Sequence, residues 1–100
     1  MVKHYKYKNN QFQAIQWDGT NLVEIQEYLG SFFVSHEQER RLHGKNNIKF
    51  RNNNGTIQVV TINDYIIKDF TPVCDNINFQ VMHHFQFKRF FEEVISDVSE

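Results

Sequence analysis

One cysteine and five histidines are the residues of this 100-residue chain best suited to hold a metal ion or attack a substrate. Tetrahedral zinc takes Cys and His ligands in whatever order a fold supplies, so a site built from Cys74, His83 or His84, and a distant His36 or His43 is sterically conceivable. The His83-His84 pair is its sharpest piece. Adjacent residues on a strand point to opposite faces, whereas at a strand-to-helix junction both can turn toward one ion. No spacing demands the site, because zinc motifs normally carry paired, closely spaced ligands; the competing reading places these histidines on the surface at element ends. If His36 and His43 share a helix they stand two turns apart, roughly 10 Å, too far for one ion. Nucleophilic chemistry has less behind it, since Cys74 needs a histidine beside it in space and a lone cysteine ordinarily packs as a small, inert hydrophobe. A nucleophile elbow, a phosphate loop, a dinucleotide fingerprint and a His-Glu-x-x-His helix are all absent from the sequence. The expectation is a binding protein, not an enzyme.

Charge and aromatic content suggest what it binds. Eleven Lys and Arg against twelve Asp and Glu leave a net charge of -1, so the whole-molecule field steers neither nucleic acid nor an acidic membrane surface. Arg40 and Arg41 with His43 and Lys45 form a short basic segment, and lysines recur through the first strand, but the aromatics follow core periodicity and the C-terminus is acidic. Both basic groups read as solvated faces, which argues against nucleic acid. Ten Phe, four Tyr and one Trp exceed what a domain of this size buries completely, so some rings must reach the surface. Phe85 and Phe90 lie off the apolar stripe of the last helix, and Tyr5 and Tyr7 alternate with lysines; with Arg40, Arg41 and Lys45 they are the candidate partner-binding residues. A wide core face or a homodimer contact would use the same rings.

The elements that must position these residues follow from periodicity. His4 to Trp17 alternates aromatic and apolar residues with Lys and Gln, with a bulge or kink expected at Asn9-Asn10. Asp18-Gly19 is a turn, and Asn21 with Glu24 has the spacing of a capping box before a helix over 22–29; Leu22, Ile25 and Leu29 share its face and Gly30 ends it. Phe32-Phe33-Val34 reads as a short buried strand, followed by a brief helix from Ser35 to Leu42 or a loop. Ile48 and Phe50, then Ile57 and Val59, alternate with polar residues about Asn54-Gly55, a tight hairpin. Tyr65 to Phe70 and Ile77 to Met82 form another strand pair, and His84 to Ser96 an amphipathic helix. The sum is one α+β domain over 1–100, a twisted antiparallel sheet of about six short strands with an early helix and a C-terminal amphipathic helix, both helices packed most simply on one face.

A single cysteine excludes an intramolecular disulfide, no window approaches the length of a membrane span, and the start of the chain lacks an apolar export segment. The cytoplasm is the expected compartment. The run Ala14-Ile15-Gln16-Trp17-Asp18-Gly19-Thr20-Asn21-Leu22, with Glu24-Ile25 and Leu29-Gly30 behind it, resembles the opening of a family of small uncharacterised phage and prophage proteins of Gram-positive bacteria. Asn63-Asp64-Tyr65-Ile66-Ile67-Lys68 is similar to that family's Pro-Gly-Asp-Tyr-Ile-Ile-Lys block, with Asn63 where the family usually has Gly, and Phe87 to Val94 resembles its closing helix. The segment from Ser31 to Asn47 does not match, and the connection holding Cys74 is longer. The resemblance implies a phage gene expressed in the bacterial host cell, and by analogy of setting an anti-defence protein that covers a partner's surface, a CRISPR nuclease among the candidates. The alternatives are a small zinc-binding domain and a sponge for a signalling nucleotide.

Overall fold

The computed structural model describes residues 2–8, 10–39, 44–69 and 78–94. Strands β1 (Lys3–Tyr7) and β2 (Asn10–Gln16) form an antiparallel hairpin, with Tyr5 opposite Phe12 and Tyr7 opposite Asn10. At the end of β1, Lys8 adopts φ of 58°, in the left-handed region; the kink expected at Asn9-Asn10 falls on Asn9, which lies outside the described residues. Helix α1 (Leu22–Leu29) and a 3-10 turn (Gly30–Phe32) lead to β3 (Phe33–Gln38), β4 (Asn46–Arg51) and β5 (Ile57–Val60). Then come β6 (Tyr65–Asp69), β7 (Asn78–Met82), α2 (His84–Phe90) and a two-residue strand β8 (Glu92–Glu93). The described strands make two antiparallel sheets, one ordered β7-β6-β2-β1-β8 and one ordered β3-β4-β5. The fold is α+β, with eight strands in two sheets where about six in one were expected.

Period-two alternation sorts the five-stranded sheet into two apolar faces. Ile15 pairs with Ile66, and together with Trp17 and Phe79 they meet Ile25 and Leu29 of α1 and Ile48, Phe50 and Val60 of the smaller sheet. On the reverse face Tyr5, Ala14, Tyr65 and Ile67 pack around Phe87 of α2. The two helices therefore cover opposite faces, not one. Each alternation phase of β2 and β6 carries its own apolar set, and each needs a cover.

Three local departures have identifiable causes. Ser35 to Gln38 carries a helix-start signal but continues β3, because pairing with β4 sets Phe33 opposite Phe50 and His36 opposite Ile48, with a bulge between Phe33 and Ser35 absorbing the register. Asn21 makes no side-chain bond to α1: its Oδ1 accepts from the Asp18 N–H at 3.1 Å and its Nδ2 donates to the Gln16 carbonyl at 2.9 Å. The capping-box spacing is thus used to brace the preceding loop. The β4-β5 turn has Gly55 at φ of 87°, with the Gly55 N–H donating to the Asn52 carbonyl at 2.9 Å and the Asn52 N–H to the Thr56 carbonyl at 3.0 Å. That is the tight hairpin expected at Asn54-Gly55, made as a three-residue connection in which Gly55 alone takes the left-handed position.

The sheets are joined by polar clamps. Trp17 Nε1 donates to the Asn46 carbonyl at 2.8 Å. The Asn52 amide donates through Nδ2 to the Phe79 carbonyl and accepts the Phe79 N–H through Oδ1, each at 3.0 Å, so it pairs with edge strand β7 as another strand would. Two segments far apart in sequence clasp each other as well: the Trp17 N–H donates to the Asp64 carbonyl at 2.9 Å and the Asn63 N–H to the Trp17 carbonyl at 2.6 Å. Asn63 takes φ of 77°, a conformation in which glycine and asparagine are the usual residues. Among the described residues no helix is long and apolar enough to cross a membrane.

Candidate functional site: an aromatic groove beside α2

Helix α2 is seven residues long and buries one side chain, Phe87. His83 caps its N-terminus, with Nδ1 accepting from the Phe85 N–H at 3.4 Å. The Phe87 ring stacks on Tyr65 at 3.9 Å and on Phe91 at 4.7 Å, and meets Tyr5 edge-to-face at 4.7 Å. Such ring contacts contribute about 0.5–1.5 kcal/mol each beyond area burial. The helix continues no further than Phe90 because the chain turns extended at Phe91 and pairs with β1: Glu93 lies opposite Tyr5, and the Val94 N–H donates to the His4 carbonyl at 2.8 Å. The helix expected over 84–96 therefore ends at Phe90, with Glu92 and Glu93 drawn into a ladder, and its positions 95 and 96 lie outside the described residues.

Between the end of α2 and the hairpin end of the sheet lies an open groove of about 520 Å³. Phe90 and Phe91 form one wall, Tyr7 and Phe12 another, and Ile67, Gln80 and Met82 the floor. Phe91 stands at its centre, with ring centroids 5.4 Å from both Tyr7 and Phe12, while Phe90 meets Tyr7 edge-to-face at 6.0 Å. Among the described residues the lining carries no charged side chain. The Lys8 ammonium sits 5.3 Å above the Tyr7 ring in a cation–π contact at the rim.

The candidate residues divide sharply. Phe85 and Phe90 are 72% and 51% exposed, off the buried stripe as expected. Tyr7 lines the groove. Tyr5, expected in an exposed patch, is only 8% exposed and belongs to the second core; burial, then the neighbouring Tyr65 and Glu93, push its hydroxyl up to about 12. Its odd-numbered phase faces α2, which the alternation with lysines does not reveal. Lys45 is exposed, and Arg40 and Arg41 lie outside the described residues. Phe12, Ile67, Gln80, Met82 and Phe91 complete the groove without having been candidate site residues in the sequence. Phe91 read there as part of a helical stripe, and only its place one residue past the helix brings it between Tyr7 and Phe12.

For the metal candidates, His83 and His84 do stand together at the strand-to-helix junction, ring centroids 4.6 Å apart, with Phe85 4.1 Å from His84. His84 Nδ1 is buried without a hydrogen-bond partner among the described residues. His36 is engaged between the sheets, its Nε2 2.7 Å from Asn46 Oδ1 and its ring edge-on to Trp17. Cys74 and His43 lie outside the described residues. Among those described, no group of three His, Cys, Asp or Glu side chains is placed to hold a metal ion.

Fold and groove together define an α+β protein with an open aromatic groove on its α2 side. The chain matches no protein-family model, no curated protein and no solved structure.

Proposed function

We propose that this protein acts by stoichiometric binding to another protein, which seats an apolar side chain in the groove and covers Phe85 and Phe90. The observation that carries the reading is Phe90, half exposed at the lip of an uncharged aromatic groove. A large ring left in water beside an unfilled apolar recess supplies the anchor-and-pocket arrangement in which binding energy concentrates. The phage-like blocks support a host defence protein as the partner, a CRISPR nuclease included. The test is affinity capture from host lysate with the wild-type chain and with a Phe85→Ala, Phe90→Ala double variant, both checked for fold by circular dichroism. One large partner should be recovered at fixed stoichiometry by the wild type and lost by the variant. Equal recovery by both proteins would remove the groove from the interaction.

A further inference from the structure

Strand β8 covers one edge of the five-stranded sheet, and its contacts are those of a replaceable segment. Its register sets Glu93 opposite Tyr5 and Glu92 opposite Lys6, and the Val94 N–H donates to the His4 carbonyl at 2.8 Å. By the alternation of an antiparallel ladder, His4 and Lys6 turn their backbone groups outward to this cover, while Tyr5 turns its own toward β2. Both β8 side chains are exposed and reach β1 through two ion pairs in water, Lys3 Nζ to Glu93 Oε1 at 3.6 Å and Lys6 Nζ to Glu92 Oε2 at 3.9 Å. Exposed pairs of this kind contribute little and are screened by salt. Neither apolar core draws on Glu92 or Glu93, so β8 detaches from β1 without opening one.

The same edge has room for more than β8 supplies. Continued toward the hairpin, the register puts Tyr7 and Lys8 opposite Phe91 and Phe90, and Phe90 is still in α2, so β8 starts only where the helix lets go. A strand not tethered to α2 runs on past Tyr7, which is already a wall of the aromatic groove. Lys3, Lys6 and Lys8 mark this edge with three cations, and β8 matches two of them. Lys8 is exposed against the Tyr7 ring, with no carboxylate beside it among the described residues. The resident segment shows what the edge accepts: the Phe91 ring, 5.4 Å from both Tyr7 and Phe12, followed by two carboxylates against Lys6 and Lys3.

Resting on the reading of the groove as a protein-binding site, we propose that the partner docks by strand addition: an extended acidic segment displaces β8 from β1, places an aromatic side chain in the groove beside Tyr7 and Phe12, and sets the carboxylates of its next two residues against Lys6 and Lys3. The probe is an acetylated Asp-Phe-Glu-Glu-Val peptide, with Lys-Phe-Lys-Lys-Val as its control, titrated into the isotope-labelled full chain and followed by NMR. The acidic peptide should shift the His4 and Lys6 amides and speed exchange at the Val94 amide, whose acceptor it takes, and the lysine peptide should do neither. Lys3→Glu with Lys6→Glu should weaken the acidic peptide about three- to tenfold, the range two exposed ion pairs supply, and turn the preference to the lysine peptide. No shift at millimolar acidic peptide, equal shifts from the lysine peptide, an unchanged preference in the double variant, or a Val94 amide that stays protected while the peptide binds would overturn the proposal. So would stronger shifts at His4 and Lys6 from a single-stranded oligonucleotide, or a dimer of the chain alone that the acidic peptide splits, which would make a second copy's β8 the occupant. Lysate capture that depends on Phe85 and Phe90 while the peptide fails to free Val94 refutes strand addition alone; peptide binding without such capture refutes the Phe85 and Phe90 contact alone.

Discussion

Replacing Phe87 with alanine removes the one buried side chain by which α2 is seated. The ring is 1% exposed and stacked or edge-packed on Tyr65, Tyr5 and Phe91, so nothing nearby is free to fill the void. Truncating a buried Phe to Ala costs about 3–5 kcal/mol, transfer and cavity terms together. Against the roughly 5–15 kcal/mol that holds a domain of this size folded, that is a fifth or more of the total. At about 4–8 °C per kcal/mol the thermal midpoint should fall by at least about 12 °C. Urea unfolding of Phe87→Ala beside Phe85→Ala provides the measurement, since Phe85 is 72% exposed and its loss should stay within about 0.5 kcal/mol. Hydrogen exchange adds the location: the Phe91 and Val94 amides, which donate to Phe87 and His4, should exchange faster, while Trp17 and Ile25 stay the better protected set. A loss below about 1 kcal/mol, or uniform acceleration across both cores, would refute the reading of α2 as a unit seated on its own apolar face.

Asn63 sits at φ of 77°, so Asn63→Gly should be neutral or slightly stabilising and Asn63→Val should cost about 1–2 kcal/mol by urea denaturation. Spectrophotometric titration of the tyrosines should show Tyr5 ionising near 12 and Tyr28 later still, both raised by burial. Because those values lie above the unfolded one, their stabilising contribution is complete below pH 10 and is lost as pH rises past it, so alkaline unfolding should begin there. Asp18 has the opposite sign: the Thr20 hydroxyl and backbone N–H, then the Asn21 N–H, hold its carboxyl below 3.8. Its contribution is present above that value and fades as pH falls below it; an NMR titration of Asp18 with an ordinary or raised midpoint would contradict the loop geometry. Asn52→Ala should cost about 1–3 kcal/mol, because both Phe79 backbone groups lose their partner, with faster exchange at the Phe79 amide as the local readout.

Local signals in the sequence carried over where the partner lay nearby. The α1 face of Ile25 and Leu29, the Gly30 stop and the Ile48 and Phe50 phase of β4 stand where periodicity placed them, whereas in β5 the alternating Ile57 and Val59 are exposed and Val60 is the buried residue. Signals failed where a distant strand decided the outcome. Ser35 to Gln38 has helix-start residues, yet β4 supplied a ladder; the residues after Phe90 keep helical spacing, yet β1 offered an edge to Glu92 and Glu93. The face of each helix was also beyond reach, since both phases of β2 are apolar and only the register of the whole sheet says which phase meets which cover. For the same reason the exposed rings Phe85 and Phe90 were legible from α2 alone, whereas Tyr5 required knowledge of what lay across from it.

The amide of Asn52 bears on how this protein behaves when concentrated. An outermost strand with free N–H and C=O groups is a template on which further chains can add, and repeated addition ends in fibres. At Phe79, the second residue of β7, both of those groups already have partners in a side chain that has no next residue to pass the pattern on. A second molecule approaching that margin finds one pair of bonding positions occupied by something it cannot extend, which shortens the edge left for pairing.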